Sequence, residues 1–363
     1  MKRREFLKSS VSLGTLAGFG FAGTRVDGSP RGTVALQGAL EGDGHAGRIG
    51  RPVRVVSIGY NSGITPFEKV AKVIDNAGSR GVDLIALPEC CRGQNDHGSE
   101  ESLSGPTVTA MAALAKKHRT YIVCPIDRRD GTRRLNTSVL LDRKGEVAGI
   151  YDKIFPWFPE FHLSPPVNPG QQIGVFTADF GRVGLAICFD IDFPEVWQGL
   201  ANHGAELVIW PSAYSGGAAL QAHASIQHYY VVSATKAPDC TVYDITGEQL
   251  LFEKKTDINV SHIILDLDRG VYDRDAIDGR EKCTARLEKL LKDHGEDVGE
   301  KYLERDDWFV LQARRPGVSA RQLAHRYGLL EKRDLVRRSR GLIDKRRGWT
   351  FAKKVYDSPQ YLA

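Results

Sequence analysis

From residue 53 onward the chain alternates short apolar runs with segments whose apolar residues recur every three or four positions. Residues 53–58 (VRVVSI) and 83–87 (DLIAL) read as buried β-strands. Between them Phe67, Val70, Ala71 and Ile74 share one face of a helix over 66–79, with Thr65 as its N-cap and Gly81 as its stop. The same patterning predicts a helix over 107–118, a strand over 121–125, and an antiparallel pair at 136–141 and 147–151 that turns at Arg143-Lys144-Gly145. Strands at 174–177 and 183–187, a helix over 194–202, a strand at 207–210, a helix over 218–228 and a strand at 229–234 follow, and short strands at 241–243, 249–252 and 261–266 close the region. Residues 154–170, IFPWFPEFHLSPPVNPG, are too rich in proline and aromatic residues for a regular element.

This alternation predicts an α/β fold. An internal echo sharpens it: GVDLIALPE (81–89) and GAELVIWPS (204–212) share the order glycine, small apolar residue, acid, four apolar residues, proline, polar residue. Two β–α–β halves of similar design imply two sheets packed face to face with helices outside, a four-layer α-β-β-α sandwich. From residue 277 the character changes to long charged helices carrying Leu287, Leu290, Leu291, Tyr302 and Leu303. The predicted division is therefore a globular domain over 51–270 and a basic helical C-terminal extension, an extended arm, over 271–363.

The N-terminus adds a destination. Arg3-Arg4 precede a short glycine-containing apolar run over 11–22 that is about half the length a membrane span needs. A basic start, a short apolar stretch and a small-residue end predict a signal peptide over 1–22. The paired arginines resemble the twin-arginine (Tat) export signal, which implies a periplasmic or extracellular protein. Glycine-rich residues 23–50 read as a flexible linker. No later segment is long and apolar enough to span a bilayer.

Charge is unevenly placed. Residues 271–363 hold 22 Lys/Arg against 16 Asp/Glu, while the first 270 residues are near neutral at 28 against 29. A positive segment suits either a polyanion or acidic partner surface, or an arm that packs on its own domain or on another subunit. The apolar Trp308, Phe309, Leu311, Leu323, Tyr327, Leu329 and Leu330 need burial and favour packing. The six cysteines form no CxxC pattern, and the ten histidines show no HxxxH or HExxH spacing, so neither a metal site nor a cofactor is expected.

Candidate chemistry lies just past three buried strands. Glu89 closes LIALPE, Lys153 follows GIYDK, and Cys188 closes GLAIC. Alone, Cys188 reads as a small core residue. Taken with its flanks, GLAICFDIDFPE (184–195), and with Glu89 and Lys153 in that order before it, the chain resembles the nitrilase superfamily, the carbon–nitrogen hydrolases, over roughly 53–268. The resemblance implies a Glu-Lys-Cys triad. Cys188 would be the nucleophile that forms a thioester, Glu89 the general base and acid, and Lys153 a fixed cation that stabilises thiolate and oxyanion together with the Phe189 backbone N–H. It also implies a second glutamate that orients substrate, for which Glu160 is the candidate beside its plainer reading as a surface loop acid.

Asp190, Pro194 and Glu195 belong to the motif and read as turn and helix-start residues. Phe189, Trp210 and Tyr214, with Trp157 and Phe158, are candidate pocket walls. The pair Phe189-Asp190 resembles the amidase and carbamoylase branches, whereas nitrile-cleaving members usually carry Trp-Glu there. The expected activity is hydrolysis of a small amide, carbamoyl or ureido compound. A nitrile substrate, or an exported polyanion- or surface-binding protein using the basic tail, stands as the alternative. The expected assembly is a homo-oligomer, without nucleic acid and without a membrane span.

Overall fold

The structure, a computed structural model, describes residues 47–94, 98–275 and 278–350. The expected signal peptide and most of the expected linker lie outside the described residues, and among those described no helix is long and apolar enough to cross a membrane.

In chain order the elements are β1 (Pro52–Tyr60), α1 (Phe67–Gly78), β2 (Leu84–Ala86), α2 (Pro106–His118), β3 (Tyr121–Asp130), β4 (Arg133–Leu141), β5 (Val147–Asp152), β6 (Gly174–Ala178), β7 (Gly181–Leu185), α3 (Pro194–Asn202), β8 (Leu207–Ser212), α4 (Gly217–Gln227), β9 (Tyr230–Thr235), β10 (Asp239–Tyr243), β11 (Gln249–Lys254) and β12 (Ile258–Asp266). A C-terminal module adds β13 (Gly270–Asp273), α5 (Arg280–His294), β14 (Val298–Leu303), β15 (Trp308–Ala313), α6 (Ala320–Arg326) and α7 (Lys332–Arg347).

Two six-stranded sheets run β12-β1-β2-β3-β4-β5 and β6-β7-β8-β9-β10-β11. Read in those orders, both show the same pairing: antiparallel, parallel, parallel, antiparallel, antiparallel. The sequence echo thus marks β2 and β8, the central strand of each parallel trio. Both faces of these strands are covered, as parallel strands require. In β2, Leu84 and Ala86 point into the core between the sheets, while Ile85 joins Val70, Ile74, Val108 and Met111 beneath α1 and α2. In β8, Leu207 and Ile209 face the first sheet, and Val208 and Trp210 lie under α3 and α4 with Trp197, Leu200 and Leu220. The four-layer expectation is met.

The expected helical arm needs correction. The module holds a three-stranded antiparallel sheet, β13-β15-β14, with β13 before α5 and with β14 and β15 between α5 and α6. The apolar run at 308–311 concealed a period of two: Val310 faces the core between the large sheets, and Phe309 and Leu311 face Leu287, Leu290, Leu323 and Ala324 of the module's own core. Continuous apolar runs look alike in a doubly covered strand and a buried helix. Acids of the domain and of the module itself take up part of the positive charge. Arg321 pairs with Glu206 at 2.7 Å and with Glu331 at 3.2 Å, and Lys332 pairs with Asp273. Asp268 receives both the Ser319 hydroxyl and the Ala320 N–H at 2.6 Å, fastening α6 to the end of the domain.

Candidate active site

Parallel strands open their C-terminal ends on one edge of a sheet, and side chains just past those ends collect there. Glu89 lies three residues past β2, Cys188 three past β7, and Lys153 directly past β5. The structure brings all three into one buried cluster, with Glu89 at 5 %, Lys153 at 1 % and Cys188 at 7 % exposure.

Lys153 Nζ donates to Glu89 Oε1 at 2.9 Å and to Glu160 Oε2 at 2.6 Å. Glu160, weighed as a surface acid from sequence, is buried. It sits in a 3₁₀ turn, Phe158–His162, and its Oε2 also accepts the Trp157 N–H at 2.7 Å. Asn136 of β4 joins the two acids through one amide nitrogen, which donates to Glu89 Oε1 at 2.7 Å and to Glu160 Oε1 at 2.8 Å. Its carbonyl oxygen accepts the Lys153 N–H at 2.8 Å, so one residue sets both the backbone and the partners of the lysine.

Cys188 begins a second 3₁₀ turn, Cys188–Asp192, and has φ of 47°. A non-glycine residue in this left-handed region costs about 1–3 kcal/mol and persists only where its surroundings hold it. The Trp210 indole N–H does so, donating to the Cys188 carbonyl at 3.0 Å, and Ala213 and Ser212 lie near enough to its sulfur to favour the thiolate. Asp190 fixes the rest of the turn. Its Oδ2 accepts the Tyr151 hydroxyl at 2.7 Å and the Ile187 N–H at 2.9 Å, and its Oδ1 accepts the Phe155 N–H at 3.0 Å. Tyr151 and Phe155 flank Lys153 by two residues on either side, so Asp190 couples the lysine segment to the cysteine turn.

The electrostatics separate the two titrating partners. Burial drives the Cys188 thiol up, the Glu89 charge adds to that, and Lys153 with the Ala213 and Ser212 donors only partly offsets it, leaving the pKa at about 12. Burial also works to raise Glu89, but Lys153, then Lys236, and then the two hydrogen bonds bring it below the ordinary carboxylate range. Lys153 is opposed by burial and held charged chiefly by Glu89, with Glu160 adding to it. The resting pair is a neutral thiol beside an ionised carboxylate. Such a pair can pass a proton from sulfur to oxygen when an electrophile arrives. Burial pushes Asp190 up to about 6.

The remaining sequence candidates divide. Phe189 is half-buried and meets Phe193 edge-on at 5.3 Å, and Phe193 stacks on Phe155 at 3.6 Å. Tyr214 is 41 % exposed, lies edge-on to Trp210 at 5.6 Å, and feels the charges of Cys188, Lys153 and Glu89. Trp210 is no pocket wall: it is fully buried and supports the cysteine from behind. Trp157 and Phe158 are exposed at 55 % and 70 %. Sequence reasoning missed Asn136 and Ser212, and gave Asp190 only a turn. The echo held a signal for Ser212, since Pro211-Ser212 aligns with Pro88-Glu89.

Comparison with known proteins bears on the family and the fold. A family model described as carbon-nitrogen hydrolase matches residues 65–263. The "Omega-amidase NIT2-B" of Xenopus laevis is 26% identical over 209 residues, 54% of this chain and 73% of that protein. The "Nitrilase" of Pyrococcus abyssi is 27% identical over 242 residues, 64% of this chain and 91% of that protein. Among solved structures, Saccharomyces cerevisiae Nit3, a member of branch 10 of the nitrilase superfamily, superposes with a TM-score of 0.51 at 21% identity, over 60% of this chain and 91% of that one. At that identity the likeness speaks to the fold alone. With two six-stranded sheets of equivalent pairing, a buried Glu, Lys and Cys at their strand ends, and the family match spanning strands of both sheets, the chain belongs to the carbon–nitrogen hydrolases of the nitrilase superfamily and is a hydrolase of carbon–nitrogen bonds.

Proposed function

We propose that the protein hydrolyses a small amide, carbamoyl or ureido compound through a thioester on Cys188. In the first half-reaction Glu89 takes the thiol proton as Sγ bonds to the carbonyl carbon. The oxyanion that forms lies between Lys153 Nζ and the Phe189 backbone N–H. As the carbon–oxygen double bond reforms, the carbon–nitrogen bond breaks, and Glu89 returns its proton to the leaving nitrogen. In the second half-reaction Glu89 deprotonates water, whose oxygen displaces Sγ, and the thiol is regenerated with the acid product. Asn136 and Glu160 hold Glu89 and Lys153 in place throughout.

The observation that carries this reading is the burial of Cys188, Glu89 and Lys153 in one cluster at the strand ends, with Lys153 Nζ bonded to Glu89 at 2.9 Å. Phe189-Asp190 after the nucleophile supports an amide over a nitrile, as does the name of the Xenopus relative. The test is ammonia release from a panel of aliphatic amides, carbamoyl compounds and nitriles. Cys188→Ala is expected to abolish turnover while the protein stays folded, and a thioester adduct mass on Cys188 identifies the acyl half. Ammonia release that survives in Cys188→Ala overturns the reading. Export through the twin-arginine route and assembly into a homo-oligomer belong to the same proposal. Cell fractionation with Arg3-Arg4 replaced by Lys-Lys tests the first, and the solution mass tests the second.

A further inference from the structure

The proposed site gathers two carboxylates, Glu89 and Glu160, on one ammonium group, Lys153, away from water. A further cation stands on the same edge. β7, β8 and β9 run parallel, so the chain leaving them delivers Cys188, Ser212 and Lys236 side by side. The Lys236 N–H donates to the Ser212 carbonyl at 2.9 Å, fixing its backbone one residue past β9. Its side chain is half-buried, and among the described residues its ammonium group makes no hydrogen bond or ion pair. It acts through space on Glu89 and on the neighbouring Cys90.

We infer that Lys236 is a positioning residue that completes the charge balance of the site and keeps Glu89 a carboxylate, an inference that rests on the proposed role of Glu89 as base. The groups facing Glu89 are Lys153 past β5, Asn136 of β4, Glu160 of the 3₁₀ turn, Cys188 past β7, Tyr214 past β8, Cys90 beside it in the chain, and Lys236 past β9. Only Lys153 and Lys236 are cations. Lys153 is bound to both acids, so its loss removes contacts as well as charge. Lys236 contributes charge alone, and removing it changes when Glu89 ionises without breaking a hydrogen bond.

The test is the pH profile of Cys188 alkylation by iodoacetamide in the full-length protein, read from the mass of the Cys188 peptide. In this reaction the Sγ–carbon bond forms, iodide leaves, and the thiol proton passes to Glu89, so the acid limb follows Glu89. Removing a nearby cation raises the pKa of an acid, and the rate then falls off at higher pH. Lys236→Met is expected to move the acid limb up by about one pH unit, with the plateau rate kept and Lys236→Arg restoring the wild-type limb. Lys236→Gln serves as a second uncharged variant should Lys236→Met fail to fold. An acid limb lost in Glu89→Gln but unmoved in folded Lys236→Met and Lys236→Gln overturns the inference alone. Uniform slowing at every pH that Lys236→Arg does not restore also overturns it. A limb that persists in Glu89→Gln overturns the base role itself, and the inference with it.

Discussion

The indole N–H of Trp210 and the carbonyl oxygen of Cys188 lie 3.0 Å apart, the tryptophan fully buried within β8 and the cysteine three residues past β7. This bond anchors a backbone turn whose first residue has positive φ. Trp210→Phe keeps an aromatic ring but removes the donor and part of the ring volume, leaving a buried carbonyl unpaired. The expected cost is about 1–3 kcal/mol of unfolding free energy, measured by urea titration. The proposed nucleophile loses its support, so alkylation of Cys188 by iodoacetamide is expected to slow as well. An alkylation rate equal to wild type would show that the turn holds the sulfur without the indole.

Asn136 is the hinge between the two acids. Asn136→Asp replaces a shared donor with a third carboxylate between Glu89 and Glu160, leaving Lys153 and Lys236 to balance all three. Like charges in a buried site raise one another's pKa. The expected result is an acid limb displaced upward in the rate profile, together with a larger loss of activity than in Asn136→Ala, which removes the bridge without adding charge. Equal losses and unmoved limbs in the two variants would reduce Asn136 to a packing residue.

Which parts of the site were legible follows from what each residue does. Glu89, Lys153 and Cys188 each follow an apolar run that announces a strand, so their positions could be read from the sequence. Asn136 opens the strand expected over 136–141, but the buried polar stretch Asn136-Thr137-Ser138 carries no sign of which partners its side chains meet. Nearby, Asp127 and Arg134 form a fully buried ion pair at 2.6 Å, which lets β3 and β4 extend well past the short strands expected there. Polar residues satisfied by one another inside a sheet carry no hydrophobic signal, and their pairing appears only in the fold. The module strand β15 was hidden for the opposite reason, being apolar on both faces.

Asp190 shows how a motif residue can be recognised and its task missed. Its acidity suits a helix start, yet its carboxylate receives Tyr151, Phe155 and Ile187 and so ties the lysine segment to the cysteine turn. Asp190→Asn keeps the shape but supplies only one acceptor oxygen for three donors and turns an N–H toward one of them. The expected outcome is a fall in kcat much larger than any change in KM, because Lys153 shifts against Cys188 while the pocket walls stay. A change confined to KM, with kcat intact, would place Asp190 in substrate binding instead.

His228 couples the domain to the C-terminal module and gives stability a pH dependence of known sign. It caps α4 with φ of 56°, its Nδ1 pairs with the Ile245 carbonyl at 3.0 Å, and its ring meets Trp308 of β15 edge-on at 5.0 Å. Burial, opposed by the Ile245 carbonyl and aided by Lys332 and Arg333 of α7, lowers its pKa to about 4. A base with a depressed folded pKa stays neutral in the native state while the unfolded chain takes up a proton. Its contribution is therefore complete above the unfolded value near 6.5 and is lost as pH falls toward 4. Over that window the wild-type protein is expected to lose about 3 kcal/mol of unfolding free energy through this residue. His228→Asn tolerates the left-handed backbone and does not titrate, so its stability profile should lack that slope. Urea denaturation of both proteins at pH 7 and pH 4.5 measures the difference, and parallel profiles would remove His228 as the titrating contact between domain and module.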